Sequence, residues 1–579
     1  MDRIMAQSAQ RIQRLEYPAI VELLGAAFLV YAVTIAIYRL YFHPLAKFPG
    51  PRIAALTRWY EAFYDVLLDG RYELKIVEFH RKYGPIVRIS PFELHIDDSE
   101  FFNEIYRQDG RWHKDTFSTN GQAAPGGAVF TADHDVHKHR RAAFNSFLSK
   151  PAVAKRMDLI QSKINVLQQR LEEAVQRGGL FELGLAFSAM TIDIATAYIS
   201  AKSYDSLAAP DFNVKLTEML QEGGYLWHVN KHIALSRYLV PLMPPALMPA
   251  SFRPFFAFLK NCEDRTKALI DLHHNGGSGE KETKATGKLT SSSSPPTLVE
   301  TILSSSSLPA AEKGYKRVND EVGTVTAAGF ETSSNTLRHI AYHVYANPTT
   351  ILARLRAELD AHPETWTATA KDTPEEEGGE EAHPPFRTWS WDRLSRLPYL
   401  TGVIKEGLRL TPGIVTRMQR VSEQPLTYHE KTPGSSRSGG GNGSGARKEE
   451  ETPQRVWAIP ARTPVGMSLM ALHRDEAAFP DPTLFRPERW VDDVEGDDDG
   501  RRRLERYFAP FSRGTRICAG MHLAWAELYL TVAMLVSQFD FELAGGTGPE
   551  DVEWVSDRFI LGVKGKNGVR VIALKRPQA

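Results

Sequence analysis

The segment Phe511-Ser512-Arg513-Gly514-Thr515-Arg516-Ile517-Cys518-Ala519-Gly520 sets one cysteine between a glycine-bearing loop and the start of an apolar helix. The N–H groups and dipole of a helix N-terminus favour a thiolate there. Gly514 allows a tight turn, Gly520 allows close approach of a bulky planar group, and Arg516 offers a fixed cation for a carboxylate. A lone cysteine is usually a buried structural thiol. The spacing F-x-x-G-x-R-x-C-x-G, with five fixed residues in ten, outweighs that reading. The second cysteine, Cys262 in Asn261-Cys262-Glu263-Asp264, has no comparable surroundings.

Other segments carry reactive side chains at meaningful spacing. In Ala328-Gly329-Phe330-Glu331-Thr332-Ser333, Gly329 and Thr332 share a helix face at i and i+3. A mid-helix glycine costs about 1 kcal/mol relative to alanine, so it asks for a reason. A small residue beside a hydroxyl makes a groove for a diatomic ligand, and Glu331 can feed protons through water. In Glu406-Gly407-Leu408-Arg409 opposite charges stand at i and i+3, flanked by Leu400, Val403, Ile404 and Leu408, which suggests a buried pair. His137-Lys138-His139-Arg140-Arg141 follows Asp133-His134-Asp135. It reads either as a solvated basic face or as a pair, His137 and Arg141, turned inward. Three histidines in six residues without an acidic partner at ligand spacing make a poor metal site.

These residues need elements to hold them. Apolar residues recur at helical spacing over Met157–Val175, Asp320–Asn347, Asp392–Thr411 and Ala519–Phe539. Short strands are expected at Ile86–Ile89, Leu94–Ile96, Trp457–Ile459, Pro464–Ser468 and Val569–Leu574. They are scattered rather than alternating with helices, which argues against a doubly wound sheet. Ala19–Tyr38 carries one charge, Glu22, and twenty residues at 1.5 Å rise match a hydrocarbon core of about 30 Å. A cleaved signal is the alternative; the length and the lack of an A-x-A-like site favour an uncleaved anchor. Lys and Arg are similar in number on its two flanks, so its orientation is open. His43–Pro51 holds three prolines and reads as a stiff linker.

The 579 residues carry 70 basic and 70 acidic side chains, a balance that excludes a generally basic nucleic-acid binder. Two cysteines exclude a disulfide framework. Length alone suggests about four domains. Setting aside the anchor, the linker and three low-complexity stretches leaves one large helical body.

In their order along the chain these segments resemble those of the cytochrome P450 family, from Phe48 to the C-terminus apart from the three stretches. The resemblance implies a mainly α fold with minor β, the cytochrome P450 fold, with an N-terminal single-pass membrane helix. It implies an N-terminal segment 1–18, a transmembrane anchor 19–38, a Pro-rich linker 39–52 and a catalytic domain 53–579 with insertions near 275–297, 363–388 and 430–453. The implied cofactor is haem b, with Cys518 as the axial thiolate of its iron. Phe511 would shield the sulfur, Gly514 and Gly520 would shape the loop, and Arg516, His137, Arg141 and Arg417 would meet the propionates. Gly329, Glu331 and Thr332 would form the oxygen-activation motif, in which many members have Asp and Thr where this chain has Glu331 and Ser333. Glu406, Arg409 and Arg489 would form a structural triad. His137 stands where Trp is common, and Arg462 where Gly is usual.

The implied activity is that of a membrane-anchored monooxygenase that inserts one oxygen atom from O2 into an apolar small molecule. Its electrons would come from NADPH-cytochrome P450 reductase, with cytochrome b5 as a further partner. The implied setting is the endoplasmic reticulum membrane lipid, with the body facing the cytosol and no nucleic acid bound. Tyr41–Pro51 and Glu406–Arg420 resemble trichodiene-oxygenase-like enzymes of fungal secondary metabolism, which points to a terpenoid or similar substrate. A reductase-independent peroxygenase or isomerase is the alternative, against which Glu331 and Thr332 argue. A non-catalytic haem-binding protein fits least.

Overall fold

The computed structural model describes residues 2–121, 124–239, 242, 253–275, 295–368, 386–430, 455–491, 498–565 and 568–576. Most of the three expected insertions therefore lie outside the described residues. Their described edges are ordered: Trp366–Ala368 pairs antiparallel with Arg387–Trp389, and Thr297 caps the helix Leu298–Ser304 through a reciprocal bond with Glu300.

In chain order the elements that position the site begin with helix α1 (Asp2–Ile37) and helix α2 (Tyr72–Tyr83). Strands β1 (Ile86–Arg88), β2 (Leu94–Ile96) and β3 (Trp112–His113) follow. Next come α3 (His134–Ala142), α4 (Met157–Arg177), α5 (Leu183–Ser200), α6 (Val214–His232) and α7 (Arg253–His274). Helices α8 (Tyr315–Ala328), α9 (Glu331–Tyr345) and α10 (Pro398–Leu410) lead to strands β4 (Arg420–Ser422), β5 (Leu426–Glu430), β6 (Arg455–Ile459) and β7 (Pro464–Gly466). Helix α11 (Met521–Gln538), β8 (Phe539–Leu543), the hairpin β9 (Ser556–Arg558) and β10 (Ile560–Gly562), and β11 (Val571–Lys575) complete the set.

Five strands form one sheet in the order β1-β2-β7-β4-β3. Val465 pairs with Leu94 in the parallel step, and Trp112 faces Ser422 at the antiparallel edge. The main core lies among α4, α5, α9, α10 and α11. All eighteen residues of α5 are buried, which explains why it is apolar on every side. It is long and apolar enough to pass for a membrane span, yet it is the central core helix. Ala19–Phe42 passes the same test with none of its residues buried, and is the candidate span.

Two expected helices are interrupted. Asp320–Asn347 breaks at Gly329-Phe330, between α8 and α9. Asp392–Thr411 breaks before Pro398, which starts α10 at a position where its missing N–H costs nothing. The proline-rich linker is packed rather than free. Leu45 and Phe48 are buried, and Phe48 stacks on Trp457 at 5.1 Å.

Candidate functional site

The cysteine loop is fixed by backbone geometry. Gly514 has φ +76°, and a Cβ there would lie 2.8 Å from the Tyr106 carbonyl oxygen, so only glycine fits the approach of the two chains. The Cys518 N–H donates to the Phe511 carbonyl at 3.0 Å and closes the loop. The Phe511 ring packs 5.9 Å from Trp525 in the first turns of α11. Cys518 is free and accessible, and a Cβ on Gly520 would meet nothing within 4 Å. That open space beside the sulfur is a cradle for a flat ligand. Burial pushes the Cys518 thiol up, while Arg141 and the N–H groups of Gly520 and Met521 pull it down. Bound metal would tip that balance toward thiolate. Cys262 lies in a separate apolar cluster with Phe258 and Ile192, where burial pushes its thiol up to about 11.

Around the loop five basic groups stand close together: Lys114 and Arg420 with His137, Arg141 and Arg516. Burial lowers all five. Their neighbours' charges depress Lys114, His137 and Arg516 further, with His137 taken down to about 2 and Arg516 to about 9. Among the described residues none of the five makes an ion pair, and the Arg516 Nε is buried without a partner. Gathering the charged members of this group in a partly buried site without an anion is costly. A ligand with two carboxylates would offset it, so the residues present fit haem. Arg516 also donates to the carbonyls of Thr131 at 2.6 Å, Ala132 at 3.0 Å and Asp133 at 3.2 Å. It thereby ties the cysteine loop to the start of α3, where Asp133 caps the helix. His137 and Arg141, at i and i+4, are drawn inward. Between them Lys138 is exposed and Arg140 pairs with Glu312 at 2.7 Å. The basic run thus divides by helix face.

At the break between α8 and α9 the chain packs closely on α5. A Cβ on Gly329 would sit 2.9 Å from the Ala195 Cβ of α5. Thr191 donates to the Phe330 carbonyl at 3.0 Å, and the Thr332 hydroxyl donates to the Ala328 carbonyl at 3.0 Å. The Phe330 carbonyl also takes the Ser334 N–H at 3.1 Å, so α9 starts with its regular ladder and Thr191 adds a tie from α5. Ala327 and Ala328, just before the break, are exposed, and Thr332 is half-buried beside them. Glu331 turns the other way, into α5 and α9. It accepts from Ser188 at 2.9 Å and pairs with Arg338 at 3.1 Å. The expected solvent-linked acid is therefore held by an arginine. Arg141 feels both the Cys518 sulfur and Glu321 of α8, which brings the broken helix, α3 and the cysteine loop to one place.

The triad of Glu406, Arg409 and Arg489 is assembled and fully enclosed. Glu406 accepts from Arg409 at 2.8 and 2.9 Å, from Arg489 at 2.9 Å and from the Trp490 indole at 2.9 Å. Burial works against its charge, but these donors hold the carboxyl below its ordinary range. Arg409 also donates to the carbonyls of His473 and Pro482, both at 2.7 Å, pinning the loops ahead of the cysteine.

Arg417 does not join the cysteine site. Its guanidinium is enclosed by Glu61 at 2.6 Å, Glu73 at 3.1 Å and Glu93 at 2.8 Å. Lys231 of α6 bridges Glu61 and Asp65 at 2.8 and 2.7 Å, and His228 reaches the Asp557 carbonyl at 2.6 Å. With each of its three guanidinium nitrogens bonded to a carboxylate, Arg417 is part of a buried ion cluster, and the expectation that it meets a propionate is corrected. Arg420, three residues on, stands in the basic group instead. Sequence reasoning missed Arg420 and Lys114, which have no motif around them. It also missed Glu527 of α11, 1% exposed, hydrogen-bonded to Ser333 and otherwise unpartnered at Oε1. Its place nine residues after Cys518, on the buried face of an apolar helix, was the available signal.

An accessible cysteine beside an uncompensated basic socket, in a helical body of this layout, defines a haem-thiolate protein. The family model for cytochrome P450 matches residues 56–431 and 454–565. The tryptophan 6-hydroxylase fscE of Fusarium equiseti is 35% identical over 543 residues, covering 92% of each chain. The conidiogenone synthase PchP450 of Penicillium rubens is 33% identical, covering 91% of this chain and 93% of its own. The N-acetyltryptophan 6-hydroxylase ivoC of Emericella nidulans is 32% identical, covering 92% of each. A crystal structure of a cytochrome P450 (CYP102L1) superposes with TM-score 0.61 at 19% identity, covering 88% of this chain and 96% of that one, which shows the fold. The chain belongs to the cytochrome P450 family. It is a haem-thiolate monooxygenase related to fungal enzymes of secondary metabolism, and as such uses O2, a substrate and a redox partner.

Proposed function

We propose that Cys518 is the thiolate ligand of haem b and that this enzyme hydroxylates or epoxidises an apolar small molecule of fungal secondary metabolism. The observation that carries the reading is the accessible Cys518 beside five basic groups, His137 and Arg420 buried and Lys114, Arg141 and Arg516 half-buried, which make no ion pair among the described residues. Haem, when bound, supplies O2 activation and oxygen transfer. The chain's own residues hold and shape. Gly514 and the Cys518–Phe511 hydrogen bond set the direction of the sulfur. Lys114, His137, Arg141, Arg420 and Arg516 receive the two carboxylates. Gly329 lets the end of α8 approach α5 at Ala195, and the Thr332 hydroxyl can turn from the Ala328 carbonyl toward a ligand beside the break. Glu331, paired with Arg338, fixes the start of α9.

Two of the relatives named above act on tryptophan or N-acetyltryptophan by their names, and one is a conidiogenone synthase. That range supports an apolar or aromatic substrate and widens the terpenoid expectation. Electrons come from NADPH-cytochrome P450 reductase, with cytochrome b5 as an auxiliary donor. The apolar span Ala19–Phe42 supports anchoring in the endoplasmic reticulum membrane with the body in the cytosol. The test is the carbon-monoxide difference spectrum of the reduced protein. A thiolate-ligand band is expected in the wild type and absent in Cys518→Ser; a band that survives this substitution overturns the assignment.

A further inference from the structure

Where the apolar span ends, three arginines gather without an ion pair. Arg39 leaves the last turn of the span, donates to the Leu56 carbonyl and lies 5.3 Å from the Phe92 ring. Arg58 lies 3.5 Å from the centroid of Phe117 and 5.7 Å from that of Phe92, with its Nη1 buried and unpartnered. Arg88, 2% exposed, donates to the carbonyls of Arg39 and Pro91, both at 2.8 Å, and its Nε is unpartnered. Among the described residues none of the three forms an ion pair. Burial and then Arg39 push Arg88 down to about 10. The acid that Arg58 does feel is Asp115, itself buried and bonded to the Phe117 N–H at 3.3 Å. Arg39, Arg58, Trp59, Phe92 and Phe117 line a cavity of about 320 Å³. That volume is at the low end for ligand sites, right for a headgroup rather than a large substrate.

The surroundings fix its depth. Beyond Arg58, the helical turns 59–67 carry Trp59, Phe63 and Leu67 at i, i+4 and i+8, exposed by 67, 46 and 73%, while Glu61, Ala62 and Asp65 between them are buried. An exposed apolar stripe adjoining a membrane span suits the boundary of headgroups and acyl chains. We propose that the pocket of Arg39 and Arg58 binds the phosphate of one membrane glycerophospholipid, whose acyl chains cover Trp59, Phe63 and Leu67. The proposal rests on the reading of Ala19–Phe42 as an anchor.

The test uses the full chain in non-ionic detergent and monomeric dihexanoyl phosphatidylcholine. Binding is read as the fluorescence difference between wild type and Trp59→Phe. A saturable signal is expected, weakened about tenfold or more in Arg58→Gln and in Arg39→Gln. Circular dichroism confirms that each variant is folded. Dihexanoylglycerol, which lacks the phosphate, is expected not to saturate. Saturation by inorganic phosphate at the same concentration overturns the lipid source. An equal response to dihexanoylglycerol, or binding unchanged in both arginine variants, overturns phosphate recognition. Flotation of the full chain with phosphatidylcholine vesicles tests the anchor separately. Flotation without saturable binding removes the site alone, whereas saturable binding without flotation removes the anchor and with it the membrane lipid as occupant.

Discussion

Glu527 gives a prediction whose size follows from its surroundings. The carboxyl is 1% exposed on α11, and burial pushes it up from 4.5 to about 8 against a weak downward pull from Ser333. In the unfolded chain it titrates near its ordinary value. Below about pH 4.5 both states are protonated and the group contributes no pH dependence. Between about 4.5 and 8 the unfolded chain releases the proton while the folded one keeps it, so stability falls as pH rises. The slope is about 1.4 kcal/mol per pH unit, and the full span of about 3.5 units is worth about 5 kcal/mol. Above about pH 8 both states are ionised and the loss levels off. Glu527→Gln removes the titration and keeps an amide that can bond Ser333. Urea midpoints of wild type and variant, measured from pH 5 to 9, are expected to diverge. The variant should hold its stability while the wild type declines, the gap growing by several kcal/mol. Parallel curves would refute the raised pKa. A wild type that gains stability with pH relative to the variant would show Glu527 to be an anion with a partner.

Further outcomes follow from the same packing. Glu406→Gln leaves Arg409 and Arg489 buried with too little charge between them, and should cost about 3–5 kcal/mol in denaturant unfolding; a cost under about 1 kcal/mol would show the triad to be replaceable. Gly514→Ala puts a Cβ against the Tyr106–Arg107 backbone at a positive φ, and should cost about 2–4 kcal/mol and lower the yield of the carbon-monoxide band. Arg462 has φ +61°, so Arg462→Gly should raise stability by about 0.5–1 kcal/mol, as strain relieved exceeds entropy lost; a fall would place a stabilising contact on the arginine side chain.

The cysteine loop and the Glu406–Arg409 pair are legible because their constraints are local: a positive φ, a helix start, an i,i+3 ion pair. The strands expected at Ile86–Ile89, Leu94–Ile96, Trp457–Ile459, Pro464–Ser468 and Val569–Leu574 form within two residues of those bounds, because short apolar stretches beside turns mark them. Other features depend on partners hundreds of residues away. Nothing within the periodic run 320–347 says that Gly329 will lie against Ala195 or that the helix will break there. Arg417 and Arg420 are both arginines entering a strand, and only the positions of Glu61, Glu73 and Glu93 send one to the ion cluster and the other to the basic socket. Arg462 shows the reverse: the turn keeps the left-handed backbone that glycine would take, although the residue type argues against it.

The ion cluster around Arg417 also orders events during synthesis. Glu93 and Arg417 are 324 residues apart, and the Asp557 carbonyl that meets His228 comes 329 residues after that histidine. At about 5–20 residues per second the ribosome needs roughly 15–65 s to make Arg417 after Glu93 has left it. Through that interval Glu73 and Glu93 stay hydrated, since like charges cannot be buried without their cation, while Glu61 can already meet Lys231. The N-terminal lobe therefore cannot bury its acidic cluster until Arg417 has been made, and a nascent chain stalled before Arg417 should expose the segment from Leu45 to Glu93 to protease.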